Sequence, residues 1–200
     1  MPHFRKSSYT RHEFHHNRHR FEHWYRNNTV YFITSKVRDG FPAFSTDPAK
    51  SIFWDRFNHY TALYGFIPWV TTLMNNHYHT LGYLRIGPHL GQMMRQLHGS
   101  IAHLVLKHLG IRHVPFWRSP GNQDYFDGCI RDPLQAQRAY RYTLLQSART
   151  GLVQNWQDYP HTRVNVDMTK AIARAQELHA FLTDLPYPRY TRSQQHGHQR

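Results

Sequence analysis

At 200 residues, 40% of them apolar and 15% aromatic, the chain can bury the core of one domain and carry polar tails besides. Its 25 Lys and Arg against 12 Asp and Glu leave a formal charge of +13 with 18 histidines counted as neutral, which points to a polyanionic partner, either nucleic acid or an anionic membrane face. The single cysteine, Cys129, excludes an intrachain disulfide and a cysteine-rich zinc site, and it fits a reducing cytoplasm.

Residues 1–27 form a basic, histidine-rich arm. It lacks the apolar stretch of a signal peptide, and its composition is that of a solvated, mobile segment able to add phosphate contacts. The first strand is predicted over 29–37, where β-branched and aromatic residues dominate. Asp47 before Pro48 reads as an N-cap with proline in the first turn, and Phe53, Phe57, Tyr60 and Tyr64 recur at helical spacing. A helix is therefore expected over 48–64, ended by Gly65. Residues 66–74 read as a strand, Asn75-Asn76 as a tight turn and 77–84 as the returning strand. The run 57–84 lacks Asp, Glu, Lys and Arg, but Pro68 interrupts it and Asn75, Asn76, His77 and His79 follow, so buried strand rather than a membrane span is expected.

A long helix is predicted over 88–109, with Leu90, Met94, Leu97, Ile101, Leu104 and His108 on one stripe and Gly110 as its stop. Residues 113–117 suit a short strand and 119–122 a loop. Asp132-Pro133 repeats the cap-plus-proline signal and opens a helix over 133–149, closed by Gly151. A last helix is expected over 168–183, with Ile172, Ala175, Leu178 and Leu182 inward, before a basic tail at 186–200. The element order predicts one α+β domain over 28–185, ferredoxin-like or RRM-like, with an antiparallel sheet and helices packed on one face.

Two constellations carry chemistry. His77 and His79, two apart on a strand, share a face, so both imidazoles can ligate one metal ion while Tyr78 turns into the core. A third ligand must then come from elsewhere. With 18 histidines a chance His-x-His is unremarkable, and a pair of hydrogen-bonded core histidines is the competing reading. A position beside a long apolar strand favours ligation, because unpaired buried imidazoles are costly. Tyr142 and Gln146, four apart on a helix, also share a face. A carboxamide oxygen is a hard ligand suited to magnesium or manganese. A free phenol ionises at about pH 10, so it serves as a nucleophile only where a metal or base helps remove its proton and the target phosphate is polarised. Tyr140 and Tyr125 are rivals for that role, and Tyr142 as one more tyrosine on an amphipathic helix is the plainer alternative.

These residues sit in an ordered set of segments. Met74-Asn75-Asn76-His77-Tyr78-His79-Thr80-Leu81, at the end of the apolar strand that begins near Trp69, resembles the MPNHxHxL signature of HUH-type single-tyrosine transposases, in particular the REP-associated tyrosine transposases and their IS200-like relatives. Tyr125-Phe-Asp-Gly-Cys-Ile-Arg-Asp132 is similar to their YxDxxIRD segment, Arg141-Tyr-Thr-Leu-Leu-Gln146 to RYIxxN/Q, and Gly151-Leu-Val153 to aGLV, with Trp156 and Tyr159-Pro160 following. The resemblance spans about 28–163 in the family's order. Asn75 replaces the family's usual proline, Tyr78 an aliphatic residue and Ser147 a second proline.

The resemblance implies a metal-dependent enzyme that nicks and rejoins single-stranded DNA at hairpins through a 5′-phosphotyrosine. His77, His79 and Gln146 would hold Mg2+ or Mn2+, Tyr142 would be the nucleophile, and Asp127 has no assigned role. No GxxxxGK[ST] loop is present, in keeping with strand exchange that needs no ATP. Lys36, Arg38, Arg85, Arg95 and Arg118, with Lys107 and Arg112, are candidates to grip DNA phosphates while exposed aromatics stack bases. The expected setting is cytoplasmic and nucleoid-associated in a prokaryote, with single-stranded or hairpin DNA as partner, no membrane, and a monomer or homodimer. The alternatives are a non-catalytic or domesticated single-stranded nucleic-acid-binding protein on the same fold, and a hydrolase that activates water at His77 and His79 and releases free ends.

Overall fold

The computed structural model describes residues 25–118, 124–168 and 170, together with the backbone at 14, 15, 18 and 19. The chain divides into two units, 1–166 and 167–200, and every element labelled below belongs to the first. In the second, Asp167 Oδ1 accepts the Lys170 amide at 3.3 Å. The predicted helix 168–183, apart from Met168 and Lys170, lies outside the described residues, as do the tail 186–200, the domain boundary at 185 and most of the arm 1–27.

Five antiparallel strands form one sheet: β1 (Thr29–Lys36), β2 (Phe66–Leu73), β3 (His77–Leu84), β4 (Phe126–Cys129) and β5 (Thr162–Val164), in the order β4-β1-β3-β2-β5. The helices are α1 (Asp47–Tyr64), α2 (His89–Leu109), α3 (Pro133–Leu144) and the single turn α4 (Gln146–Arg149). Tyr31, Ile33 and Tyr78 from the sheet pack with Phe53 and Phe57 of α1 and Leu97 and Ile101 of α2 in the larger core. Because side chains alternate along a strand, Phe32, Val70 and Leu81 face the other way, where they meet Ala139 of α3. The antiparallel α+β sheet with α1 and α2 on one face is thus the predicted architecture, and α3 adds cover to the opposite face.

Local signals explain most boundaries. Gly65 and Gly110 end α1 and α2 in the left-handed region, at φ of 70° and 66°. Asp132 caps α3 by accepting the Gln135 amide at 2.7 Å. At α1 the cap is Thr46, which accepts the Ala49 amide at 3.4 Å, one residue before the predicted Asp47. Pro68 falls where the β2–β3 register slips, beyond the stretch that β5 pairs, so its missing N–H breaks no ladder. The run 57–84 forms the end of α1 and the β2–β3 hairpin. Among the described residues no helix is long and apolar enough to cross a membrane.

Four readings need correction. The strand expected at 113–117 is a single bridge between Val37 and Trp117, whereas β4 and β5, of four and three residues, lie where the sequence predicts no element. Such short edge strands are paired on one side only and leave little periodicity to detect. The buried stripe of α2 ends at Val105 rather than running through Leu104 to His108. Leu106 and Leu109 of the last turn pack half-buried against the core, so the inward face follows those positions rather than Leu104 and the exposed His108. The helix expected at 133–149 is interrupted at Leu145, which separates α3 from α4.

Gly82 of β3 is a packing requirement. A Cβ there would lie 2.5 Å from Phe66 Cζ and 2.6 Å from the Ile67 carbonyl oxygen. Gly82→Ala is expected to lower stability by about 1–3 kcal/mol, read as a lower urea midpoint with an unchanged m-value.

Candidate active site

His77 and His79 stand on β3 on the sheet face that carries α3, with ring centroids 4.9 Å apart. Each ring is held through Nδ1. Asn76 Nδ2 donates to the Gly40 carbonyl at 3.0 Å, which turns Asn76 Oδ1 toward His77 Nδ1 at 2.6 Å. That oxygen can only accept, so His77 Nδ1 carries the proton and Nε2 presents a lone pair. His79 Nδ1 lies 2.8 Å from Thr34 Oγ1, its cross-strand neighbour on β1. His79 Nε2 is buried without a hydrogen-bond partner. Burial, then the nearby Lys36 charge, lowers His77 to about 4, and burial, then His77, lowers His79 to about 3. Both rings are neutral at pH 7, the form that ligates a metal.

The second pair arrives from a distant part of the chain. Thr72 on β2 is paired with His79 across the sheet, and its hydroxyl donates to the Thr143 carbonyl at 2.8 Å. Thr143 is fully buried and hydrogen-bonds Ala139 within α3. This pin sets α3 against the imidazoles. Tyr142 then meets His79 edge-on at 5.1 Å and Phe32 at 5.9 Å, with the Arg149 guanidinium 5.5 Å from its ring centre. Gln146 reaches His77: its amide nitrogen is 3.4 Å from Nε2. The interruption at Leu145 leaves Tyr142 and Gln146 on the same side.

The rival tyrosines sit elsewhere. Tyr140 donates its hydroxyl to the Val166 carbonyl at 3.1 Å, and Tyr125 is buried beside His98 on the far side of the sheet. Asp127 pairs with Ile33 on that far side too. Of the basic candidates, Lys36 is cross-strand from His77, and the Arg118 amide donates to the Lys36 carbonyl at 2.9 Å, so both lie at the histidine end of the sheet. Arg38 binds the Val114 carbonyl and pairs with Asp39 at 3.1 Å. Arg85 lies past the opposite end of β3, about 26 Å along the strand, and Arg95 is on α2. Thr34, Asn76, Thr72 and Arg149 were not singled out by sequence. Asn76 is marked in the sequence as a turn residue and as the asparagine of the resembled signature, but not as a support of His77, and the others depend on contacts across the fold.

Of the three departures from the resembled pattern, Tyr78 and Asn75 have hydrogen-bond partners, and the Ser147 hydroxyl is buried with none. Tyr78 points into the helix layer, fully buried, with its hydroxyl 2.9 Å from His98 Nε2. The Asn75 carbonyl accepts the Phe44 amide at 2.8 Å, and Ser147 is buried within α4.

The donor set fits a divalent ion. Among the described residues no three His, Cys, Asp or Glu side chains gather for a metal, so a third ligand beside His77 and His79 would have to be of another kind, and the Gln146 carboxamide is the group next to His77. An orphaned buried Nε2 on His79 and a lone pair on His77 Nε2 facing that carboxamide are what such a site needs, and three neutral ligands leave positions for phosphate oxygen and water.

No family model matches the chain, and no curated protein matches its sequence. A solved structure of a REP-associated tyrosine transposase bound to a REP hairpin has the same fold. Its TM-score is 0.59 over 78% of this chain and 86% of that one, at 15% sequence identity.

Proposed function

We propose that the chain is a DNA-binding, transposase-like enzyme that nicks and rejoins single-stranded DNA at hairpins, with Mg2+ or Mn2+ and a 5′-phosphotyrosine intermediate. The observation that carries this reading is the meeting of two neutral imidazoles from β3 with the phenol and carboxamide of the α3–α4 segment on one sheet face. The similar transposase was solved on a DNA hairpin, which supports the choice of substrate.

His77, His79 and Gln146 would hold the ion, which when bound supplies polarisation of the scissile phosphate and charge neutralisation as the phenol loses its proton. Tyr142 Oη attacks phosphorus, the bond to the 3′ oxygen breaks, the phenolic proton passes to solvent, and the departing oxygen takes up a proton as a 3′-hydroxyl. Attack by a 3′-hydroxyl on the phosphotyrosine reverses these exchanges and reseals a strand. Bond energy is kept in the ester throughout. Lys36 and Arg118 are placed to bind phosphates entering beside His77.

Incubating the protein with labelled hairpin DNA carrying a single-stranded flank, with Mn2+, should give a covalent product on a denaturing gel, and peptide mapping should find Tyr142. Free cleaved ends without adduct would indicate water as nucleophile, and binding without cleavage would indicate a non-catalytic module.

Asn76→Ala tests the support of the metal site. It removes the acceptor that holds His77 in its ligating tautomer. Mn2+ affinity measured by calorimetry should fall about 10–100-fold. An unchanged affinity would mean that the Asn76 contact does not prepare His77.

A further inference from the structure

A cavity of about 410 Å³ lies against α2, on the side of the sheet away from His77 and His79. Such a volume lies within the range of small-molecule and nucleotide pockets. His98, 2% exposed, lines it. The Trp117 ring stacks on His98 at 4.4 Å and 22°, and Tyr125 meets it edge-on at 5.9 Å. His98 Nε2 is engaged by the Tyr78 hydroxyl, but Nδ1 is buried with no partner. A buried polar atom without a partner calls for one that the described residues do not supply. Arg95 and Asp124 are the exposed charged residues of the lining. The helix itself carries Arg95 and Lys107 and no acidic residue.

We infer that this cavity receives one unstacked base of a single-stranded nucleic acid, with an exocyclic amino group set toward Asp124. The ligand class rests on the strand-processing reading above, while the cavity itself does not. The exposed aromatic ring of the lining is Tyr25, and a ring face stacks on a base regardless of sequence. The edge of the base would meet the Asp124 carboxylate, an acceptor for amino hydrogens, and Arg95 would meet the adjoining phosphate. A second cavity of about 380 Å³ shares Tyr25, Gly91 and Arg95 with the first and has room for the next nucleotide. A route joins this surface to the histidine side. The Ser35 hydroxyl donates to the Asp124 carbonyl at 2.5 Å, and Ser35 lies between Thr34 and Lys36 on β1. A strand crossing the sheet end at Lys36 and Arg118 would reach both surfaces.

Gly99 provides the blocking variant, because it lines the cavity and a Cβ there meets nothing within 4 Å. The full chain, in EDTA, is titrated with hairpin DNA whose single-stranded flank carries 2-aminopurine at each position in turn. Expected is strong quenching at one flank position for the parent and for Gly99→Ala. Gly99→Leu should lose that quench and bind about tenfold or more weakly, with an unchanged circular dichroism spectrum. Arg95→Ala should weaken binding several-fold without moving Tm. Uniform quenching along the flank, or a position-specific quench that survives Gly99→Leu, overturns the inference. So does a deoxyguanosine monophosphate titration that Gly99→Leu abolishes while oligonucleotide binding is untouched, since the cavity would then serve a free nucleotide. A protein that forms the Mn2+-dependent adduct but shows no quench refutes the cavity alone. One that quenches in EDTA but forms no adduct upholds the cavity and refutes the nicking chemistry.

Discussion

Tyr142→Phe is expected to bring the covalent adduct below about 10⁻⁴ of the parent level while hairpin binding stays within about twofold. The substitution removes one oxygen and keeps the ring. Contacts with His79, Phe32 and Arg149 involve that ring, so the pin between α3 and the sheet should persist. A mere packing role for Tyr142 would therefore leave adduct formation nearly intact. Tyr140→Phe is the matched control: that hydroxyl is committed to the Val166 carbonyl, and its loss should cost stability rather than chemistry. Adduct that persists in Tyr142→Phe and maps to Tyr140 or Tyr125 would refute the assignment.

His79→Ala should be as severe for a different reason. It deletes a ring nitrogen that is buried and aimed at no protein partner, and cleavage should fall at least about 10³-fold together with Mn2+ binding. Removing the metal from the parent with EDTA should have the same consequence and be reversed by adding Mn2+. The pH dependence follows from the imidazoles. Free histidine titrates at about 6.5, whereas burial lowers His77 to about 4 and His79 and His98 to about 3. The unfolded chain therefore binds more protons than the folded one between those limits. Their contribution to stability is fully present above about pH 6.5 and is lost as pH falls toward 4 and then 3, by up to about 1.4 kcal/mol per pH unit for each proton taken up on unfolding. Urea midpoints measured at a series of pH values should thus be flat above neutrality and fall steeply in acid. Mn2+ should raise Tm near pH 7, and that rise should vanish as pH drops through about 4, where His77 becomes charged. A metal-induced Tm rise unaffected by acid, or one that His79→Ala retains, would place the ion elsewhere.

Much of this arrangement can be read along the chain because its causes are local. Strand alternation alone puts His77 and His79 on one face and Tyr78 on the other, and the Asp132-Pro133 cap starts the helix that carries Tyr142, with Gln146 just past its interruption at Leu145. Glycines at 65 and 110 end two helices because each needs a positive φ that other residues reach only with strain. Sheet order and register are different in kind. His79 is held by Thr34 across 45 residues, Thr72 pins Thr143 across 71, and Gln146 meets His77 across 69. Each of these contacts is one hydrogen bond whose partner is chosen by how two apolar strand faces and a helix close on one another, so nothing near it in the chain announces it. The same long-range packing turned Thr34, Thr72 and Asn76 into supports of a site, hid β4 and β5 as short edges, and placed His98 in a cavity on the reverse side. Residue type and spacing set which chemical groups were present and which way they faced, and closure of the sheet against α3 set which of them met.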